Sequence, residues 1–185
     1  YGVCNPLIDL HCHIPDSFLQ ERNLDKNRMH LVSLETQQSL LMALNAENYS
    51  IDFAAGGSGA NAMIGVAQLG GRAAFTGKIG KDEHGEIYRE NLEAQGVRAA
   101  LGIGTGVTGS SLILVSDDGA RTMNTYLGMC RELQPADIDD DVLKSSHYLY
   151  LTGYLWDTES QKATVRHALT LSEKHAVKVA LSLSD

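Results

Sequence analysis

Short segments of period two alternate along this chain with longer segments of period 3.6, the pattern of an α/β layered domain rather than a bundle or a sandwich. Tyr1 to Leu10 reads as a strand, Ser33 to Glu47 as a helix, and Ile51 to Ala55 as a strand ending in a glycine cluster. The next helix carries an apolar stripe through Ala60, Met63, Ile64 and Ala67, and Gly70-Gly71 stops it. The alternation repeats with Arg72 to Ile79 as strand, Asp82 to Gln95 as helix stopped by Gly96, and Tyr148 to Leu151 as strand. Thr158 to Ala176 is the longest helical stretch and leads into a last strand, Val177 to Leu183.

One stretch departs from this alternation. Thr108 to Leu127 has β-type residues on both sides of Asp117-Asp118-Gly119, a hairpin turn signal. With the extended pieces Leu10 to Ile14 and Met29 to Ser33, it predicts a small separate sheet suited to a lid. The division that follows is an α/β domain of residues 1–8, 34–107 and 128–185, with a lid of 9–33 and 108–127.

Composition narrows the partners. A chain of 185 residues that is 43% hydrophobic buries one substantial core with a small appended element. Its formal charge of -8 offers no electrostatic footprint for nucleic acid or an anionic membrane, so small molecules are the expected partners. Apolar runs such as Tyr148 to Trp156 are too short to span a bilayer, and the N-terminus lacks the order of a secretory signal, which points to the cytoplasm. Cys4, Cys12 and Cys130 are odd in number and widely spaced and read as free thiols. The start at Tyr1 and the stop directly after a strand-like run lead us to expect part of a longer chain.

The densest chemical signal is Ala55-Gly56-Gly57-Ser58-Gly59-Ala60-Asn61, between a strand and a helix start. Glycines there let backbone approach a ligand, the helix N-terminus offers unpaired N–H donors, and the Asn61 amide suits sugar hydroxyls. The alternative is a tight turn with Ser58 as helix cap. Gly57, Gly59 and Ala62 satisfy a dinucleotide pattern, yet the following strand ends in Thr76-Gly77-Lys78-Ile79 without the acidic residue that pattern wants. Gly77-Lys78 also fails as a phosphate loop, with Arg72 at the first glycine position and Ile79 at the Ser/Thr position. In His11-Cys12-His13, strand alternation sends Cys12 away from the histidines, which argues against a metal site. The acidic run Asp137 to Asp141 after Pro135 reads as solvated charge at a helix start.

Several segments together resemble one family. Asn5-Pro6-Leu7-Ile8-Asp9 is similar to the opening strand of adenosine kinases, and Gly56 to Asn61 with Gly70-Gly71 resembles the first signature of the ribokinase-like (PfkB) family. Gly77-Lys78-Ile79-Gly80-Lys81-Asp82-Glu83-His84-Gly85 resembles its continuation. Thr108-Gly109 and Arg121 to Thr125 fall where the family places its lid hairpin, and Gly153-Tyr154 where an aromatic residue lines the pocket. The resemblance covers essentially the whole chain. It implies a three-layer α/β/α fold with a β-sheet lid, and a C-terminal part that this chain lacks.

The same resemblance implies an ATP- and Mg²⁺-dependent kinase acting on the primary (5'-type) hydroxyl of an adenosine-like ribosyl nucleoside. Asp9 and Asn61 would bind the sugar hydroxyls, Gly57 and Ser58 would pack on the sugar, and Asn5 would support the pocket. Leu7, Ser111, Met123, Thr125 and Tyr154 would be walls, and Arg121 a lid residue approaching the transferring phosphate. The family's glycine-rich anion hole with its catalytic aspartate has no counterpart here, nor does its N-x-x-E pattern, so the base is expected beyond Asp185. Lid strands of some related kinases form dimer contacts, which implies a homodimer. The alternatives are a free-sugar kinase for ribose or fructose, an NAD-binding oxidoreductase domain, and a non-catalytic nucleoside-binding module.

Overall fold

Pro6 divides the first apolar run into two strands that lie in different sheets. Proline has no N–H for a ladder and restricts the residue before it, so β1 (Gly2–Val3) ends ahead of Asn5-Pro6 and β2 (Leu7–His13) starts after it. The computed structural model, which describes residues 1–183, thus corrects the single strand expected over Tyr1 to Leu10. The chain continues through α1 (Asp16–Glu21), β3 (Met29–Leu31), α2 (Leu34–Ala46), β4 (Asp52–Gly56) and α3 (Ser58–Gln68). Next come β5 (Ala73–Thr76), β6 (Lys78–Gly80), α4 (Glu83–Ala94), β7 (Val97–Ala99) and β8 (Gly102–Gly104). A hairpin of β9 (Ser110–Val115) and β10 (Arg121–Tyr126) precedes α5 (Asp140–Lys144), β11 (Tyr148–Thr152), α6 (Glu159–Lys174) and β12 (Lys178–Ser182).

The first sheet has the order β12-β11-β1-β5-β7 and is parallel throughout. Alternation along its strands sends Val3, Ala74, Leu149 and Leu151 to one face, where they pack with Leu143 of α5 and Val165 and Ala168 of α6. Phe75 points to the other face, into a core with Ala60 and Met63 of α3 and Tyr88 and Leu92 of α4. Helices therefore cover both faces in a three-layer α/β/α arrangement, as a parallel sheet requires. The helix starts were legible: Ser33, Asp82 and Thr158 each accept a backbone N–H at the head of α2, α4 and α6.

The second sheet has the order β3-β10-β9-β2-β4. Its hairpin closes at the expected turn, with the Gly119 N–H donating to the Ser116 carbonyl at 2.8 Å. The hairpin is flanked by neighbours, because β9 runs parallel to β2 and β10 parallel to β3. Ile8, Leu10, Cys12, Leu112 and Leu114 line a buried face against Phe18 of α1 and Leu40 and Leu44 of α2. On that face the Gln37 amide donates to the carbonyls of Ser110 and Asn124.

Four further expectations change. The Ile51 to Ala55 strand, expected in the first sheet, is β4 of the second, paired antiparallel with β2 from Leu7↔Gly56 to His11↔Asp52. Leu7 and Ile8, assigned to the α/β domain, are the start of β2 and so lie in the second sheet as well. The Arg72 to Ile79 strand breaks at Gly77, and β6 pairs with β8 in a separate two-stranded ladder. Asp137 is not solvated charge: its carboxylate meets Lys78 Nζ at 3.0 Å, with the two side chains only 11% and 9% exposed. The physical reason is that an unpaired Lys78 ammonium at this buried position would be costly, so it draws in a partner. The short α1, β7 and β8 were not anticipated. No helix among the described residues is long and apolar enough to cross a membrane.

Candidate functional site

The open face of the second sheet brings most of the sequence-derived residues together. In β2, Leu7, Asp9, His11 and His13 point away from the face that carries the buried Ile8, Leu10 and Cys12. Cys12 thus does diverge from its flanking histidines, and no metal-type cluster of three or more His, Cys, Asp or Glu occurs among the described residues. Pairing places Asp9 beside Ser111, Ser111 opposite Thr125, and Thr125 beside Leu31, so these four form one row across adjacent strands. The next row holds His11, Ile113 and Met123. Arg121 begins β10 on the same face, one row further still. The Ser111 and Thr125 hydroxyls hydrogen-bond to one another at 2.9 Å.

Asp9 is the unusual member. Burial pushes its carboxyl above the ordinary carboxylate value, while His11 and then Arg121 pull it part of the way back, and no hydrogen bond contributes. Gly56 lies against it so closely that a Cβ at that position would sit 2.2 Å from the carboxyl carbon. Gly57 follows with a positive φ of 91°, and a Cβ at that position would sit 2.6 Å from the Asn5 carbonyl oxygen. Gly57, not Ser58, is the N-cap of α3, and it makes no side-chain cap bond, which corrects the reading of Ser58 as the cap.

The first intrahelical bond of α3 is from the Asn61 N–H to the Gly57 carbonyl, which leaves the N–H groups of Ser58, Gly59 and Ala60 at the open helix end. Gly59, Ala60 and Met63 are buried, so the exposed Ser58 and Asn61 share the outward side of the first turn.

Asn5 is buried, and its Oδ1 accepts a 2.9 Å bond from Gln161 Nε2, which also donates to the Cys130 carbonyl. Gln161 was legible only as part of the α6 capping box with Thr158; that it also holds the loop before Asp9 depends on a contact 156 residues away. Tyr154 lies in the one-turn 3-10 helix Gly153–Trp156 and is 42% exposed. Thr152, which ends β11, contacts Cys4 Sγ at 2.9 Å, so Tyr154 follows β11 beside the segment where the chain crosses from β1 to β2. The structure therefore unites Leu7, Asp9, Ser111, Met123, Thr125 and Arg121 on one face, with Gly57, Ser58 and Asn61 next to it, whereas Asn5 and Tyr154 stand behind and beside the crossing.

Sequence reasoning missed the fastening of the hairpin. Burial alone would raise the Asp82 carboxyl, but bonds from Thr108 Oγ1, the Thr108 N–H and the Gly85 N–H hold it below its ordinary value. Thr108 Oγ1 also accepts the Gly80 N–H at 2.8 Å. The Gly80-x-Asp82-x-x-Gly85 motif thus anchors the loop that leads into β9. Also unanticipated is a cavity of about 610 Å³ at the β3 and β10 end of the open face, reached through Thr125 and Leu31. A larger groove of about 1280 Å³, lined by Met63, Arg98, His147 and Lys178 among others, contains none of the candidate site residues named from the sequence.

Comparisons with known proteins bear on this geometry. An adenosine kinase from Sinorhizobium meliloti superposes with a TM-score of 0.87 at 38% identity, covering 100% of this chain and 56% of that one. A probable sugar kinase from Rhizobium etli gives a TM-score of 0.87 at 34% identity, with 100% and 55% covered. Probable fructokinase-4 of Arabidopsis thaliana is 36% identical over 102 residues, or 51% of this chain and 31% of the relative. The chain thus spans about a third to a little over half of the length of these relatives. The family model for pfkB carbohydrate kinases matches residues 29–185, and the chain belongs to that family.

Proposed function

We propose that this chain is the acceptor-binding part of a kinase that transfers the γ-phosphoryl group of ATP to the primary hydroxyl of a ribosyl nucleoside. The observation that carries the reading is Asp9: a carboxylate raised by burial, with no hydrogen-bond or ion-pair partner among the described residues and only the more distant charges of His11 and Arg121 acting on it, in one row with the hydroxyls of Ser111 and Thr125. Such a group is stabilised by donors from outside, and the vicinal hydroxyls of a ribose supply two at the spacing of one carboxylate. Asn61 donates and accepts beside it, Gly57 and Ser58 pack on the ring, and the free N–H groups of α3 present fixed positive charge to oxygen. Leu7 and Met123 wall the face, Arg121 approaches transferred phosphate, and Tyr154 closes the side.

The residues described do not fit a magnesium or nucleotide-phosphate site. No carboxylate cluster offers metal ligands, and the ammonium of Gly77-Lys78 is bound to Asp137 rather than free for phosphate. This chain's part is positioning of the acceptor and exclusion of water. The second sheet acts as lid in this reading, in a protein of the cytoplasm. Because the hairpin lies inside that sheet, and Lys26 ties its turn residue Asp118 to Asp16, closure involves the sheet as one body. Nucleoside is expected to slow amide hydrogen exchange over residues 108–127 together with β3; equal protection with and without nucleoside counts against the lid.

A free sugar is the second reading, supported by the fructokinase relatives. The two separate when the full-length protein is offered adenosine, other nucleosides, ribose and fructose with Mg-ATP. Phosphorylation of adenosine in preference to the free sugars is expected, and turnover of free sugars alone overturns the nucleoside reading.

A further inference from the structure

The row that starts at Asp9 does not end at Thr125. It runs three strand steps to Leu31, a span of about 14 Å at the usual strand spacing, which is longer than a pentose and suits a sugar carrying a ring substituent. Thr125 and Leu31 also line the cavity of about 610 Å³, together with Tyr126, Arg131, Glu132, Asp157 and Thr158. Arg131 Nε lies 3.0 Å from Asp157 Oδ2 as an ion pair, and both side chains are about half exposed. The second carboxylate oxygen and the terminal guanidinium N–H groups have no other partner among the described residues. Their backbone frame is held to the start of α6, since Thr158 Oγ1 donates to the Arg131 carbonyl at 3.0 Å and Ser160 Oγ to the Leu133 carbonyl at 2.7 Å.

We propose that Arg131 and Asp157 read the non-sugar end of the acceptor and select a base presenting an amino group beside a bare ring nitrogen. The inference rests on the nucleoside reading above and extends it to the class of base. An acceptor oxygen next to a guanidinium donor complements an amino N–H next to a ring nitrogen, as in adenine or cytosine. Hypoxanthine or guanine presents the reverse, a carbonyl beside a ring N–H, and sets its oxygen against the carboxylate. A wrong pairing at a site built for hydrogen bonding leaves groups unmatched on both sides, which is where discrimination arises.

Binding of adenosine, inosine and ribose to the full-length protein, measured by calorimetry, tests this. The parent is expected to prefer adenosine over inosine by roughly 10- to 100-fold. Asp157→Asn, whose amide can turn its NH2 toward a base carbonyl, should narrow the ratio severalfold by strengthening inosine, while the Arg131 donors, still opposed to the inosine ring N–H, keep part of the preference. A purely structural role for Asp157 predicts no such gain. Arg131→Gln should narrow the ratio by weakening adenosine, and Asp9→Ala should weaken both nucleosides alike. If Asp157→Asn and Arg131→Gln still bind both nucleosides with the parental ratio, this inference is overturned and the nucleoside reading stands. A parent that binds ribose or fructose but neither nucleoside sinks both.

Discussion

Replacing Asp9 with alanine is expected to weaken nucleoside binding by about 2 to 4 kcal/mol, on the order of 30- to 1000-fold, in a protein that stays folded. Charge-assisted hydrogen bonds are about twice as strong as neutral ones, and removing one partner leaves the sugar hydroxyls unpaired in a partly desolvated site. The fold should tolerate the change, because Asp9 contributes no hydrogen bond and points away from the core that holds Ile8 and Leu10. Burial has raised its carboxyl, so in the free protein the ionised form costs stability above the unfolded-state value. That cost is relieved as pH falls through the raised folded value toward the unfolded one. Asp9→Asn should therefore leave the unliganded protein as stable as the parent or more so near neutral pH, with the difference fading on acidification. Affinity runs the other way. It depends on the carboxylate and should drop as pH falls through the raised value, earlier than an ordinary aspartate would dictate, and this pH dependence should vanish in the alanine variant. A 2'-deoxynucleoside should bind the parent poorly and discriminate far less against Asp9→Ala. Unchanged affinity by calorimetry on folded Asp9→Ala would make Asp9 a structural residue and remove the sugar-binding role.

Local chemistry explains which parts of this architecture were legible in the sequence. The turn at Asp117-Asp118-Gly119, the caps at Asp82 and Thr158, and the stripe of α3 depend on neighbours within a few residues, so spacing alone reveals them. Strand partners depend on distant chain. β2 pairs in parallel with β9 about a hundred residues away, and nothing in the period of Ile51 to Ala55 says that it joins β2 rather than β1. The break at Pro6 was readable from the missing N–H, yet the apolar run on both sides hid it. The site shows the same division. The glycines beside Asp9 stood out, because close backbone approach permits little else, and the resemblance placed Asp9 and Asn61. The row of Asp9, Ser111, Thr125 and Leu31 exists only once four strands are in register. The pairs Arg131 with Asp157 and Asp82 with Thr108 join segments 26 residues apart, with no pattern to flag them.

Lys78 supplies the largest expected effect on stability. Its ammonium lies 3.0 and 3.3 Å from the two oxygens of Asp137, in a setting that leaves the side chains 9% and 11% exposed. Asp137 also accepts the Gln134 N–H at 2.9 Å, and Gly102 lies directly against it. The pair thereby joins the two-stranded ladder of β6 and β8 to the turn that precedes α5. Taking two ions out of water is costly, so the intact pair adds little over apolar residues of equal volume, but removing one partner strands the other charge. Lys78→Met is therefore expected to destabilise the protein by about 3 to 5 kcal/mol, or roughly 6 to 20 °C in Tm for a chain of this size. Lys78→Met with Asp137→Leu should recover most of that loss, since no charge remains buried. Urea unfolding of the parent, both single variants and the double variant closes the cycle. The pair lies outside the open face that carries Asp9, so nucleoside affinity measured well below the unfolding midpoint should match the parent in every variant that folds. A loss under about 1 kcal/mol for Lys78→Met, or no recovery in the double variant, would mean that water already solvates this pair and that the ladder is held by its backbone bonds alone.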